Sequence, residues 1–186
     1  MQVYGGGEFP AYIIDGETLR EELLSEEDTL EWLEETPDDP QAVAFWRMLD
    51  ELDRALAVGE GALADQEPMT PGWAAAAVRL AHVHHWREEY AEAHELFDAA
   101  EETFATGAGG DPDAEEVQDQ QRHQDRMLAL VRQHRAKALF DQGRGVEAHD
   151  QARTALRMRE ELGEPVGVLA SSRQTVDRIA RELTKG

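Results

Sequence analysis

Histidines are the first residues to weigh for chemistry. His82, His84 and His85 cluster, and His94 follows on what reads as a partner helix. His82 and His85 are three apart and share a helical face. Zinc held there needs a third ligand, such as Glu89 or His94, in tetrahedral geometry. The spacing of a zincin helix, two histidines four apart with a glutamate between, does not occur. The expectation is no metal: His84 packs in a helix–helix seam, and His82 and His85 line an exposed or groove face. Acidic neighbours such as Glu21–Glu22 and Glu101–Glu102 point apart on a helix and do not share a site. The only serines, Ser25, Ser171 and Ser172, sit in no nucleophile elbow. Gly143-Arg-Gly145 resembles part of a phosphate loop but follows no strand, so it reads as a helix–helix turn. No enzyme and no cofactor are expected.

The charge limits what such residues can serve. The chain of 186 residues has a net charge of −22. That excludes an ordinary nucleic-acid binder, whose affinity comes from neutralising phosphates. No apolar run approaches the roughly 20 residues that span a bilayer. The N-terminus has no basic segment leading into an apolar one, so it does not read as a secretory signal. With no cysteine, there is no disulfide scaffold. A soluble cytoplasmic protein is expected. Residues 1–70 hold 19 acidic and 3 basic residues, whereas 120–160 hold nine basic against five acidic. An acidic N-terminal third thus precedes a locally basic stretch.

The elements that would position these side chains are helices. Residues 1–14 read as irregular or extended, with turn signals at Gly5–Gly7 and Pro10 and two short candidate strands, Val3–Tyr4 and Tyr12–Ile14. Residues 15–67 read as an acidic helical region. Leu19 and Leu23 are four apart, Ser25 offers an N-cap, and Leu30 and Leu33 continue the apolar stripe. Asp39 and Pro40 open a helix through Phe45, Leu49, Leu52 and Leu56, with a stop near Val58 before Gly59 and Gly61. Residues 71–186 continue with helices from Pro71 to Trp86, Tyr90 to Phe104, Ala114 to Phe140, Val146 to Glu161 and Val166 to Leu183. Residues 106–113 are the clearest loop.

Two stretches of this region resemble each other. Ala81 and Ala93 are 12 residues apart, and so are Ala136 and Ala148. Small residues at such steps let two helices approach to about 8–10 Å. Leu80–Ala81, Tyr90, Ala93, Phe97 and Ala100, and more weakly Gly143, Ala148, Ala155 and Leu156, resemble the tetratricopeptide repeat. Ala77 and Arg132 stand where that family carries tryptophan, and Gly145 stands for its tyrosine. The stretch from Ala152 onward is similar to segments of bacterial proteins with such repeats. The resemblance covers roughly 71–186. It implies an all-α fold of antiparallel helix hairpins in a right-handed superhelix, with a C-terminal capping helix. Residues 14–67 would be a degenerate hairpin, a cap or an inhibitory arm.

In that family the first helix of each hairpin lines a concave surface. Carried over, the resemblance places Arg79, His82, His85 and Trp86 there from one hairpin and Gln133, His134, Lys137 and Phe140 from the next. Ser171, Gln174 and Thr175 come from the last helix. Arg79 and Lys137 suit a carboxylate, and Trp86 and Phe140 offer flat apolar contact. Family members that clamp a peptide carboxylate also use asparagine, and this chain has none. The expected function is a non-enzymatic interaction module whose groove binds a peptide or protein partner. The alternative is an acidic decoy or inhibitory arm covering a basic surface, its own or that of a nucleic-acid-binding partner. The groove residues would otherwise pack against residues 1–70 or against a second subunit in a homodimer.

Overall fold

The computed structural model describes residues 2–106 and 115–185. Strands β1 (Val3–Gly6), β2 (Phe9–Ile14) and β3 (Glu21–Leu23) form an antiparallel sheet in the order β1-β2-β3. Sequence reasoning expected an irregular segment to residue 14 and helix from Gly16. Instead, β2 turns back through residues 15–20 and pairs Ile14 with Glu21 and Tyr12 with Leu23. The local chemistry favours the turn. One Asp15 carboxylate oxygen accepts from the backbone N–H of Glu17 (3.0 Å) and of Thr18 (2.6 Å) and from the Thr18 hydroxyl (2.8 Å). Such bonds compete with helix formation. The Asp15 N–H donates to Arg20 O at 2.9 Å and closes the loop. A third strand also gives the two weak ones a sheet to belong to.

Eight helices follow among the described residues. Ser25 caps α1 (Glu26–Glu35) by accepting from Asp28 N, as its position predicts. The next predicted helix is two: α2 (Ala42–Met48) and α3 (Leu52–Ala64). They part at Asp50, whose φ of +61° is left-handed. Nor does α3 stop near Val58. Gly59 lies inside it because α4 crosses there: a Cβ at Gly59 would sit 3.0 Å from Leu80 Cδ1.

The remaining helices are α4 (Pro71–Trp86), α5 (Tyr90–Ala105), α6 (Glu115–Asp141), α7 (Gly145–Glu161) and α8 (Val166–Leu183). Thr70 caps α4 by accepting from Trp73 N, with Pro71 in the first turn. Gly143, at φ +74°, makes the turn between α6 and α7. The helices pack as antiparallel pairs. Ala81, Ala93, Ala136 and Ala148 are all fully buried at the crossings, as their spacing predicts. One core unites α4, α5 and α6 around Ala77, Phe97, Phe104 and Val131. A second joins Ala136, Leu139, Ala148 and Ile179 to Leu19 from the β2–β3 loop. The sheet packs on α1 and α2 through Tyr12, Leu23, Leu33 and Phe45. The fold is thus mostly helical with a small sheet rather than all-α. Among the described residues no helix is long and apolar enough to cross a membrane.

Candidate ligand groove

Helical periodicity puts His82, His85 and Trp86 on one side of α4, and His134 and Lys137 on the side of α6 that meets them. Their common partner is Glu21, at the start of β3. Lys137 Nζ donates to Glu21 Oε1 at 2.7 Å, and Arg47 Nη1, from α2, donates to Oε2 at 3.0 Å. All three side chains are buried. Burial opposes the Glu21 charge, but Lys137 and Arg47 outweigh it and hold the carboxyl well below the usual range.

The imidazoles complete the cluster. The His82 ring lies 4.2 Å from that of His134 and 5.4 Å from that of His85, centroid to centroid. Burial, reinforced by neighbouring cations, drives the pKa of His82 and of His134 well below the ordinary value. Both rings are neutral at pH 7, so the 3.9 Å approach of His82 Nε2 to Glu21 is not an ion pair. Burial also lowers His85, against the pull of Asp141, to which His85 Nε2 donates at 2.9 Å. The guanidiniums of Arg47 and Arg20 stack over Trp86 at 4.4 and 5.0 Å from its ring centre. His82 Nε2, His85 Nδ1, His134 Nδ1 and Trp86 Nε1 are buried without a hydrogen-bond partner.

Helix α8 completes the enclosure and reads backbone. Gln174 Nε2 donates to Ile14 O at 3.0 Å, Arg178 Nε to Glu17 O at 2.8 Å and Arg181 Nη2 to Gly16 O at 3.3 Å. Leu19, at φ +60°, is fully buried against Leu139 and Ile179, with Phe140 and Val176 beside it. The faces of α4, α6 and α8 therefore hold a short segment of the chain itself by backbone carbonyls, one leucine and one carboxylate.

The predicted groove residues divide among four places. His82, His85, Trp86, His134 and Lys137 come together, but His82, His85 and Lys137 are interior rather than exposed, because residues 15–23 and α2 cover them. Arg79 sits apart, in a cavity with Pro37, Asp39 and Val43, where burial lowers its pKa and Asp39 partly compensates. Gln133 faces α7 and α8. It donates to Ser171 Oγ at 3.0 Å and accepts from Ser172 at 2.8 Å and from the buried Arg159. Burial lowers the pKa of Arg159 to about 10. Phe140 stacks beneath the Arg178 guanidinium at 4.9 Å. Glu21, Leu19 and Arg47 were not foreseen. Arg47 had a signal, being four residues after Val43 on a buried helical face; Glu21 had none among so many acids.

The histidine trio weighed for zinc does not assemble, because His94 turns to Gln142 at 3.2 Å. Among the described residues, Glu21, His82 and His134 do bring ligand atoms within 4.8 Å of one another. Two imidazoles and a carboxylate suit zinc by type. Here Lys137 and Arg47 already neutralise the carboxylate, and a dication would have to enter beside both. Compared with known proteins, the chain matches no family model, no curated protein and no solved structure.

Proposed function

We propose that the chain is an interaction module whose groove, formed by α4, α6 and α8, receives an acidic segment of a partner protein. The observation that carries it is the Glu21 carboxylate between Lys137 and Arg47, with the backbone before it gripped by Gln174, Arg178 and Arg181. Backbone contacts of this kind do not depend on the side chains of the bound segment, and the cations select for acid. A carboxylate held ionised this firmly is a poor general base at neutral pH, which favours binding over catalysis. The paired alanines at 12-residue steps support the finer reading of tetratricopeptide-like hairpins winding as a right-handed superhelix.

The test uses the whole chain with its own occupant weakened by Leu19→Ala and Glu21→Gln. A fluorescein-labelled peptide reproducing residues 13–24 is titrated and followed by anisotropy. Saturable binding is expected. Adding Lys137→Met should weaken it at least tenfold, since truncating one partner of a buried charge pair costs about 2–5 kcal/mol. A folded variant that takes up no peptide would show that the groove is not a receptor.

A further inference from the structure

The β2–β3 loop behaves as a ligand that the chain carries with it. What α4, α6 and α8 contact in it could be supplied by another polypeptide: three carbonyls, the Leu19 side chain, the Glu17 and Glu21 carboxylates and the Arg20 guanidinium. The loop also holds its own shape. Asp15 accepts from Glu17 and Thr18, Leu19 N donates to Asp15 O at 3.1 Å, and Asp15 N to Arg20 O at 2.9 Å. It can therefore leave and return as a preformed hairpin tip.

Two further observations bear on displacement. Leu19 is held at φ +60°, a conformation a side chain rarely adopts, so the bound loop carries strain. The core of α4, α5 and α6 contains no residue before Leu63; the loop enters only the second core, through Leu19. Charge sets the competitor's chemistry. Glu17 lies 3.3 Å from Arg178 and 3.6 Å from Arg181, and Glu21 lies on Lys137, so both of these acids meet bases, while the loop's one base, Arg20, lies over Trp86 and 3.6 Å from Asp141. Leu19 and Glu21 are two residues apart, Leu19 in the turn at φ +60° and Glu21 at the start of β3, and the groove takes both.

Resting on the reading of the groove as a receptor, we infer that residues 14–23 are an autoinhibitory plug, and that the partner that displaces them presents an acidic segment with a leucine two residues before a glutamate. The plug makes the groove answer only to a ligand that outcompetes it. The site then couples binding to release of the N-terminal hairpin, so an occupied molecule differs from a free one at its sheet as well as in its groove.

Hydrogen–deuterium exchange on the wild-type full chain tests this, with the unlabelled peptide of residues 13–24 as competitor. Saturating peptide should speed exchange of the amides of residues 14–24 at least tenfold and leave α4 and α6 as protected as before. The same peptide carrying Leu19→Ser and Glu21→Gln should do neither. Binding to the weakened variant without any change in wild-type exchange would overturn the plug while leaving the receptor reading intact. Binding to neither protein would remove both. Faster exchange throughout the helices, or an unfolded Leu19→Ala/Glu21→Gln chain, would show that the loop is structural core and overturn the plug.

Discussion

Lys137 and Glu21 stand 116 residues apart in the chain, meet at 2.7 Å, and keep only 3% and 7% of their surfaces in solvent. The pair joins the third strand of the sheet to the last turns of α6. Removing one charge while the other stays buried is costly, whereas removing both together is far less so.

Lys137→Met should therefore destabilise the chain by about 3 kcal/mol, because Arg47 continues to satisfy part of the carboxylate. For a protein of this size that lowers the melting midpoint by roughly 6 °C or more. Adding Glu21→Gln to Lys137→Met should recover part of the loss. Circular dichroism melts of the single and double variants check it; additive losses would mean that the two residues do not interact.

Stability should fall in two steps as the pH drops. His82 and His134 have folded pKa values below the unfolded value of 6.5. As pH falls through about 6.5 the unfolded chain takes up protons that the folded chain refuses, so stability decreases. Glu21 has its pKa lowered from 4.5. Its contribution is present above 4.5 and disappears as pH falls from there toward the folded pKa. Urea midpoints between pH 8 and pH 3 check this. His82→Gln with His134→Gln should flatten the upper step and spare the lower one; an unchanged upper step would remove these histidines as its cause.

The two helical glycines of α3 should respond in opposite directions. Nothing lies within 4 Å of a Cβ at Gly61, so Gly61→Ala should stabilise by about 0.5–1 kcal/mol. Gly59 already faces Leu80 and Val43 at 3.0 and 3.4 Å, so Gly59→Val should cost about 1–3 kcal/mol. Equal midpoints for the two variants in urea would contradict the close α3–α4 crossing.

Chelators should leave the melting midpoint unchanged, because Lys137 and Arg47 occupy the carboxylate that zinc would need. Calorimetric titration with zinc should show no one-to-one site. A stoichiometric site abolished by His134→Ala would prove that the donor set outcompetes the two cations.

The helix hairpins were legible because their signals are local. Thr70 and Pro71 start α4, Gly143 turns α6 into α7, and the alanine steps mark the crossings. The same periodicity brought His82, His85, Trp86, His134 and Lys137 to one place. What was illegible depends on distant partners or disguised turns. Leu19 and Leu23 mimic a helical step but lie in a loop and a strand, because the Asp15 side chain organises the turn first. Asp50 breaks a continuous apolar stripe without a glycine to announce it. Arg79 shares a helix with His82, yet the turn before α2 gives it a separate cavity with Asp39. Lys137, expected on an open concave surface, is instead buried by a strand the sequence did not reveal.

The 116-residue separation of Glu21 and Lys137 also fixes an order of events during synthesis. At about 5–20 residues per second, α6 emerges roughly 6–20 seconds after β3. Until then the loop has no groove to enter, and Leu19 is the one large apolar side chain it must keep in water. Asp15, Glu17, Arg20 and Glu21 surround it with charge. Of these only Glu21 ends up buried with Leu19, so the apolar side chain waits in solvent among charges that mostly stay there, and the loop is enclosed only after the helices that receive it have been made.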